Sequence, residues 1–283
     1  MTGFFAALAS GRFPFLRNAL LAGLLSSALF GVLGSIVTVR RVASLAGAVS
    51  HAVLGGIGMA LYLSASNIAP GFPPIAGALI FAVLSAGLIG TVSLKAKQRE
   101  DTVINAIWAI GMSVGVLFMA KTPGYTDPSA YLFGNILLIG PQDLALLLVL
   151  TILVLFLSWR FYPQIVASAF DEEFAKVRGV PVTALFLGIL GVTAVAIVLL
   201  QTFVGIVMVI AMLTLPAGTA GYIARSLGKM MLWSTLFSAL FSVGGLVLGW
   251  TLDAPVGAMV VILAGTVFLA FAAARALKAK LKV

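Results

Sequence analysis

The single histidine of the chain, His51, is the side chain best suited to contact a metal ion. A neutral imidazole is a good ligand for zinc, manganese or iron. Ser50 precedes it directly and Ser44 lies on a nearby turn, so two hydroxyl groups could add oxygen ligands. A structural metal site needs about four ligands, and one histidine is too few. Two interpretations stay open: a transient contact on a substrate pathway, with which one or two ligands are compatible, and a histidine that hydrogen bonds between two packed helices.

Several kinds of chemistry are excluded by residues that the chain lacks. There is no cysteine, so thiolate chemistry and disulfides are ruled out. Gly228 and Lys229 are followed by Met230 and not by a hydroxyl residue, and no nucleotide-binding P-loop occurs elsewhere. No metalloprotease, serine-hydrolase or paired-carboxylate pattern is present. We therefore predict a non-catalytic chain with no resident cofactor, and any ATP hydrolysis would take place in a partner subunit.

The elements that must position His51 are membrane-spanning helices. Of the 283 residues, 62% are hydrophobic and 9% are charged, and the mean hydropathy is +1.20. A span needs about 20 apolar residues, and repeated stretches of that length indicate helices because backbone groups in lipid must be paired internally. The prediction is an all-α polytopic bundle of about nine helices, within a range of eight to ten, forming one transmembrane domain over residues 1–283. The predicted spans are 15–39, 48–64, 74–94, 104–120, 144–161, 183–200, 204–220, 230–252 and 256–274.

The charged residues indicate orientation and the absence of a buried proton relay. With the N-terminus outside and the C-terminus inside, the inner segments hold most of the 17 Lys and Arg residues. The net charge of +9 then reflects inner-side flanks next to lipid, not nucleic-acid binding. None of the eight acidic residues lies within an apolar core, which argues against coupling through a buried carboxylate. Gly111 with Gly115, and Gly245 with Gly249, form G-x-x-x-G patterns that predict close helix packing.

The inner loop at about 162–182 is predicted to contain a short amphipathic helix. Asp171 can cap it, Glu172 and Lys176 form a favourable i,i+4 pair, and Gly179 is suited to end it. Phe170 and Phe174 fall on one face with Val177, and nothing in the chain is an obvious partner for that face. Two interpretations stay open: a helix that lies on the membrane, and a helix that docks on a cytoplasmic partner.

Six segments in order resemble the ABC-3 family of metal-ion permeases over roughly residues 13 to 274. They are Phe15–Leu20, Arg40–Leu54, Arg99–Thr102, Tyr131–Leu137, Phe170–Pro181 and Val204–Ala220. The family motif around the histidine usually also carries an aspartate one turn earlier, and Ala48 stands three residues before His51 here.

The resemblance implies an ABC importer permease in the prokaryotic cytoplasmic (inner) membrane, working as a homodimer and transporting a divalent metal ion such as zinc, manganese or iron. It implies two partners, cytoplasmic ABC ATPase subunits and an extracytoplasmic solute-binding protein. It also implies a substrate pathway at His51, Ser50 and Ser44. The ATPase-coupling residues that it implies are Phe170, Asp171, Glu172, Phe174, Ala175 and Gly179. The alternatives are a secondary transporter of a small solute driven by an ion gradient, and an assembly protein that transports nothing.

Overall fold

The structure is a computed structural model that describes residues 2–11, 13–95, 100–124, 131–132, 134 and 136–280. These residues form α-helices joined by short turns, with one 3-10 turn at Ile136–Leu138. The helices are α1 (Thr2–Ala9), α2 (Pro14–Val39), α3 (Ala43–Ala65), α4 (Pro74–Lys95), α5 (Glu100–Lys121), α6 (Pro141–Arg160), α7 (Tyr162–Phe170), α8 (Glu172–Val177), α9 (Val182–Val204), α10 (Ile206–Gly221), α11 (Leu227–Leu252) and α12 (Val256–Lys280).

The prediction of about nine spans is confirmed. Eight helices in the described part of the chain are long and apolar enough to cross a membrane, and α10 is a shorter apolar helix of 16 residues. Two predicted boundaries were wrong. α3 begins at Ala43 and not at residue 48. α9 continues through Gln201, Thr202 and Phe203, and the break falls at Gly205, whose φ of 83° and ψ of 161° are readily adopted only by glycine.

One compact unit of the chain comprises residues 1–41, 133–160 and 203–283, in which α2 packs along α11. Small residues permit this close approach: a Cβ on Gly31 would overlap Thr235, and a Cβ on Gly23 would lie 3.3 Å from the Cβ of Ser242. The predicted close packing at Gly245 and Gly249 is confirmed, because both face α12. Serines inside α2 donate to carbonyls of their own helix, which satisfies their hydroxyl groups in an apolar setting.

The second unit comprises residues 42–132 and 161–202, and α3 lies in it between α4 and α5. Gly56 of α3 meets the backbone of Gly77 in α4. On the other side, a Cβ on Gly111 would lie 2.5 Å from the Cα of Ala52, and a Cβ on Gly115 would lie 2.6 Å from the carbonyl oxygen of Leu54. The backbones of α3 and α5 are thus in direct contact, which confirms the close packing predicted from the Gly111 and Gly115 spacing.

Candidate functional site: a histidine on α3 and an exposed loop helix

α3 carries all three residues of the predicted substrate pathway, at different depths. His51 is only 9% exposed, and Ser50 is fully buried and donates its hydroxyl hydrogen to the Ala46 carbonyl oxygen at 2.8 Å. Ser44 lies in the first turn of α3 and is exposed. At 1.5 Å per residue, Ser44 and His51 are separated by about 10 Å along the helix. Ser44 therefore does not share an ion-sized site with His51, although an ion could meet the two in succession.

The imidazole of His51 stacks on the indole of Trp108 in α5. The ring centroids lie 4.8 Å apart and the planes differ by 15°. The His51 Nδ1 atom is buried and has no hydrogen-bond partner among the described residues. Trp108 covers one face of the imidazole, and the hydrogen-bonding capacity of Nδ1 is not used by any described residue. Trp108 was not predicted, because only the fold brings it to His51.

An open groove of about 800 Å³ runs along α5 and includes Trp108 in its wall. Its other lining residues with polar or polarisable atoms are Asn105, Met112 and Ser113. An amide, a hydroxyl and a thioether are individually weak ligands for a divalent ion. Among the residues that the structure describes, no three His, Cys, Asp or Glu side chains come together as a metal site. Within the described part of the chain, the groove and the His51–Trp108 pair therefore lack the set of strong ligands that a tight metal site needs.

The loop after α6 forms a two-helix element in which α8 is closed at both ends. At its start, the Asp171 carboxylate accepts a hydrogen bond from the Phe174 amide at 2.8 Å. At its end, Gly179 has φ 76° and donates its amide hydrogen to Lys176, and Val180 donates to Ala175, each at 3.0 Å. This is a Schellman motif, which satisfies carbonyls that a helix end leaves free. The predicted short helix is confirmed, together with its cap and its terminating glycine.

Side chains on α8 divide sharply between buried and exposed. Ala175 is fully buried, whereas Phe174 is 51% exposed and Val177 is 87% exposed. Phe170, at the end of α7, is 71% exposed. Glu172 and Lys176 form a 2.8 Å ion pair, and the Arg178 guanidinium lies 5.1 Å from the centre of the Phe174 ring. Phe170, Phe174 and Val177 thus form a small apolar face that no described residue covers. Charged side chains of α8 surround this face.

Part of the resemblance falls on residues outside the described set. These residues are Arg99, Phe133 and Asn135. The side chains of Glu100 and Asp101 also lie outside the described set. The remaining segments lie on α2, α3, the α7–α8 loop and α10, so the resemblance covers both compact units.

Comparison with known proteins places the chain in a family. The family model for the ABC 3 transport family matches residues 12–275. An uncharacterized membrane protein of Synechocystis is 34% identical over 91% of this chain and 90% of that protein. The manganese transport system membrane protein MntC of Halalkalibacterium halodurans is 33% identical over 95% of this chain and 89% of that protein. In the solved structure of PsaBC from Streptococcus pneumoniae in complex with Fab, one chain superposes with a TM-score of 0.82 at 30% identity, covering 94% of this chain and 95% of that one.

The chain therefore belongs to the ABC 3 transport family, and it has the helical fold of that family's membrane permeases. It is a multi-pass membrane protein, since a relative of nearly equal length is named as a membrane protein and eight described helices are long and apolar enough to span.

Proposed function

We propose that this chain is the permease subunit of an ATP-driven importer for a divalent transition metal, with manganese as the first cargo to test and zinc and iron as the others. Manganese comes first because the relative from Halalkalibacterium halodurans is named as a manganese transport system membrane protein. The cargo is a substrate that passes through the chain, and the chain holds no resident cofactor. The location is the prokaryotic cytoplasmic membrane, with the α7–α8 loop on the inner side.

The observation that carries the proposal is the exposed face of α8. Burying the side chain of a residue such as Phe or Val contributes about 1.5–3 kcal/mol, so leaving Phe170, Phe174 and Val177 exposed is costly unless a partner covers them. The two glutamates in the first turn fit poorly with an anionic inner leaflet, which favours a protein groove over lipid. The proposed occupant of the face is a cytoplasmic ABC ATPase subunit.

The second part of the proposal concerns the route of the ion. His51, oriented by Trp108, and the groove along α5 form one wall of a pathway in which the ion meets weak ligands in succession. Ser50 and Ser44 lie on the same helix toward its start. Weak ligands suit a pathway because an ion that binds tightly does not leave. A second copy of the chain supplies the opposite wall, and an extracytoplasmic solute-binding protein delivers the ion.

The test uses the permease reconstituted with its ATPase and binding protein in proteoliposomes. Phe174→Ala removes the largest apolar group of α8 and leaves the helix backbone intact. Uptake of radioactive manganese should fall, and ATPase activity should lose its stimulation by the loaded binding protein, while the assembled amount of permease stays constant. Phe161→Ala is the matched control, because Phe161 is a half-exposed phenylalanine just before α7 and lies outside the α8 face.

Two results would contradict the proposal. Wild-type uptake and stimulation in Phe174→Ala would show that the α8 face transmits nothing. Equal losses in Phe174→Ala and Phe161→Ala would show a general effect of removing an aromatic side chain and not a specific contact.

A further inference from the structure

Four exposed cations lie where the end of α10, the start of α11 and the end of α12 come together. These three helices contact one another pairwise. Arg225 lies in the turn between α10 and α11, Lys229 lies in the first turn of α11, and Arg275 and Lys278 lie in the last turns of α12. All four side chains are exposed, and together they form what we name the basic cluster.

The position of one member is fixed by an aromatic ring. The Arg275 guanidinium carbon lies 5.5 Å from the centre of the Tyr222 ring, which in turn lies 6.0 Å from the Phe268 ring. A guanidinium over an aromatic face is attracted to it and loses freedom. Tyr222 precedes Arg225 by three residues, so the stack holds Arg275 beside the turn that carries Arg225. The cluster is therefore a local arrangement and not only a set of basic residues close in sequence.

No acidic side chain of this compact unit lies close enough to neutralise the basic cluster. The only acidic residues of the unit are Asp143 and Asp253. Asp253 ends α11, about 36 Å from Lys229 at 1.5 Å per residue. Asp143 lies in the first turn of α6 and accepts a hydrogen bond from the Gly140 amide. The carbonyl oxygen of the preceding residue, Ile139, accepts a hydrogen bond from Asn18 near the start of α2, so Asp143 lies close to that end of α2.

The cluster lies at the opposite end of α2. There, Val39 packs beside Ala217, Ala220 and Met230, which belong to the same helix ends as the cluster. α2 is 26 residues long, or about 39 Å. Both acidic side chains thus lie far beyond the screening length of about 8 Å at physiological salt, so neither supplies a counter-charge to the cluster.

Next to the cations lies an exposed apolar surface. Trp233, one turn beyond Lys229 on α11, is 42% exposed, and its ring lies 6.3 Å from the Phe237 ring. Phe237 contacts Phe271 of α12 edge-to-face at 5.9 Å. Exposed leucines continue along α11 at Leu232 and Leu236. Tryptophan is typical of the headgroup level of a membrane, with apolar side chains beyond it facing acyl chains.

We propose that the basic cluster binds the phosphate headgroup of an anionic phospholipid, whose acyl chain lies along the surface of Trp233 and the neighbouring leucines. A negative group joined to a long apolar chain matches both halves of the surface. An acidic protein surface would match only the cations and would leave the adjoining membrane-level apolar surface uncovered. Basic residues near a membrane surface each strengthen binding to anionic lipid by about fivefold.

The experiment measures quenching of tryptophan fluorescence in the full-length purified chain in detergent micelles. Brominated phosphatidylglycerol and brominated phosphatidylcholine are titrated separately, and the contribution of Trp233 is taken as the difference from W233F. We expect phosphatidylglycerol to quench Trp233 at a concentration at least about fivefold lower than phosphatidylcholine. The triple variant R225Q/K229Q/R275Q keeps only Lys278 of the cluster and should lose most of this preference, without any change in quenching by phosphatidylcholine.

Three controls keep the result interpretable. K121Q removes a cation from the end of α5, in the other compact unit, and should keep the preference. R275Q alone should lower the preference by about fivefold, and it serves if the triple variant does not fold. Excess inorganic phosphate should not displace the lipid, because it lacks the acyl chain.

The proposal is overturned if the two lipids quench Trp233 equally, or if R225Q/K229Q/R275Q and R275Q both keep the preference. Displacement by inorganic phosphate alone would also overturn it in favour of a soluble anion. If the variants kept the lipid preference but no longer assembled with the ATPase, the cluster would be a protein contact, and the lipid proposal would again be wrong.

Discussion

Replacing Gly111 by alanine is expected to separate α3 from α5 at the point where His51 meets Trp108. The new Cβ would lie 2.5 Å from the Cα of Ala52, the residue after His51. Ordinary contact begins near 3.4 Å, so the two backbones must move apart by about 0.9 Å. The obstacle is backbone and not the flexible end of a side chain, so local rearrangement cannot relieve it. Overpacking of this kind costs about 1–3 kcal/mol.

The matched control is Gly87→Ala in α4. A Cβ added to Gly87 would meet no atom of a neighbouring element within 4 Å, and both substitutions remove a glycine from a helix, which favours the helix by about 1 kcal/mol. The gain in helix propensity is the same in both variants and cancels in the comparison. The free energy of unfolding of Gly111→Ala should therefore be lower than that of Gly87→Ala by about 2 kcal/mol, which corresponds to about 4–8 °C in Tm. Thermal unfolding in detergent, followed by tryptophan fluorescence, measures this difference. Equal Tm values in the two variants would refute the claim that backbone contact between α3 and α5 positions the histidine.

Three further predictions concern the pathway and the loop helix. His51→Ala should lower metal uptake per assembled complex by about tenfold or more if the imidazole is a ligand, and it should also lower Tm because the buried stack on Trp108 is lost; unchanged uptake would leave it as a packing residue. Asp171→Ala should cost α8 about 1 kcal/mol and speed tryptic cleavage after Lys176 and Arg178 by about fivefold, whereas Asp171→Asn keeps an acceptor and should not. Glu172→Gln should change the free energy of unfolding by less than about 0.5 kcal/mol, because its ion pair is exposed; a larger change in urea unfolding would contradict this.

The structure of α8 was largely predictable from the sequence, because it depends on interactions between residues close in the chain. Asp171, Glu172 and Gly179 act through neighbours within one or two turns, so the cap, the ion pair and the C-terminal turn were all predictable from the sequence. The exposure of Phe170 and Phe174 was also predictable, because periodicity placed them on one face and the chain offered no partner.

The surroundings of His51 were less predictable. Its contact with Trp108 joins residues far apart in the chain, and the sequence signalled only that Gly111 and Gly115 would pack closely against some helix. Which helix they pack against depends on how the bundle assembles. The break between α9 and α10 was predicted at residues 201–203, two to four residues before Gly205, for a related reason. Apolar runs on both sides give no signal of where the backbone turns, and hydropathy does not indicate φ at a glycine.

The central claim is that this chain cannot drive transport alone. The direct measurement is the initial rate of manganese uptake into sealed proteoliposomes containing the chain with or without its ATPase and binding protein, under a proton or sodium gradient or with enclosed ATP. We predict uptake only when all three proteins and ATP are present, and none from the chain alone under either gradient. Gradient-driven uptake by the chain alone would contradict this claim and support a secondary transporter.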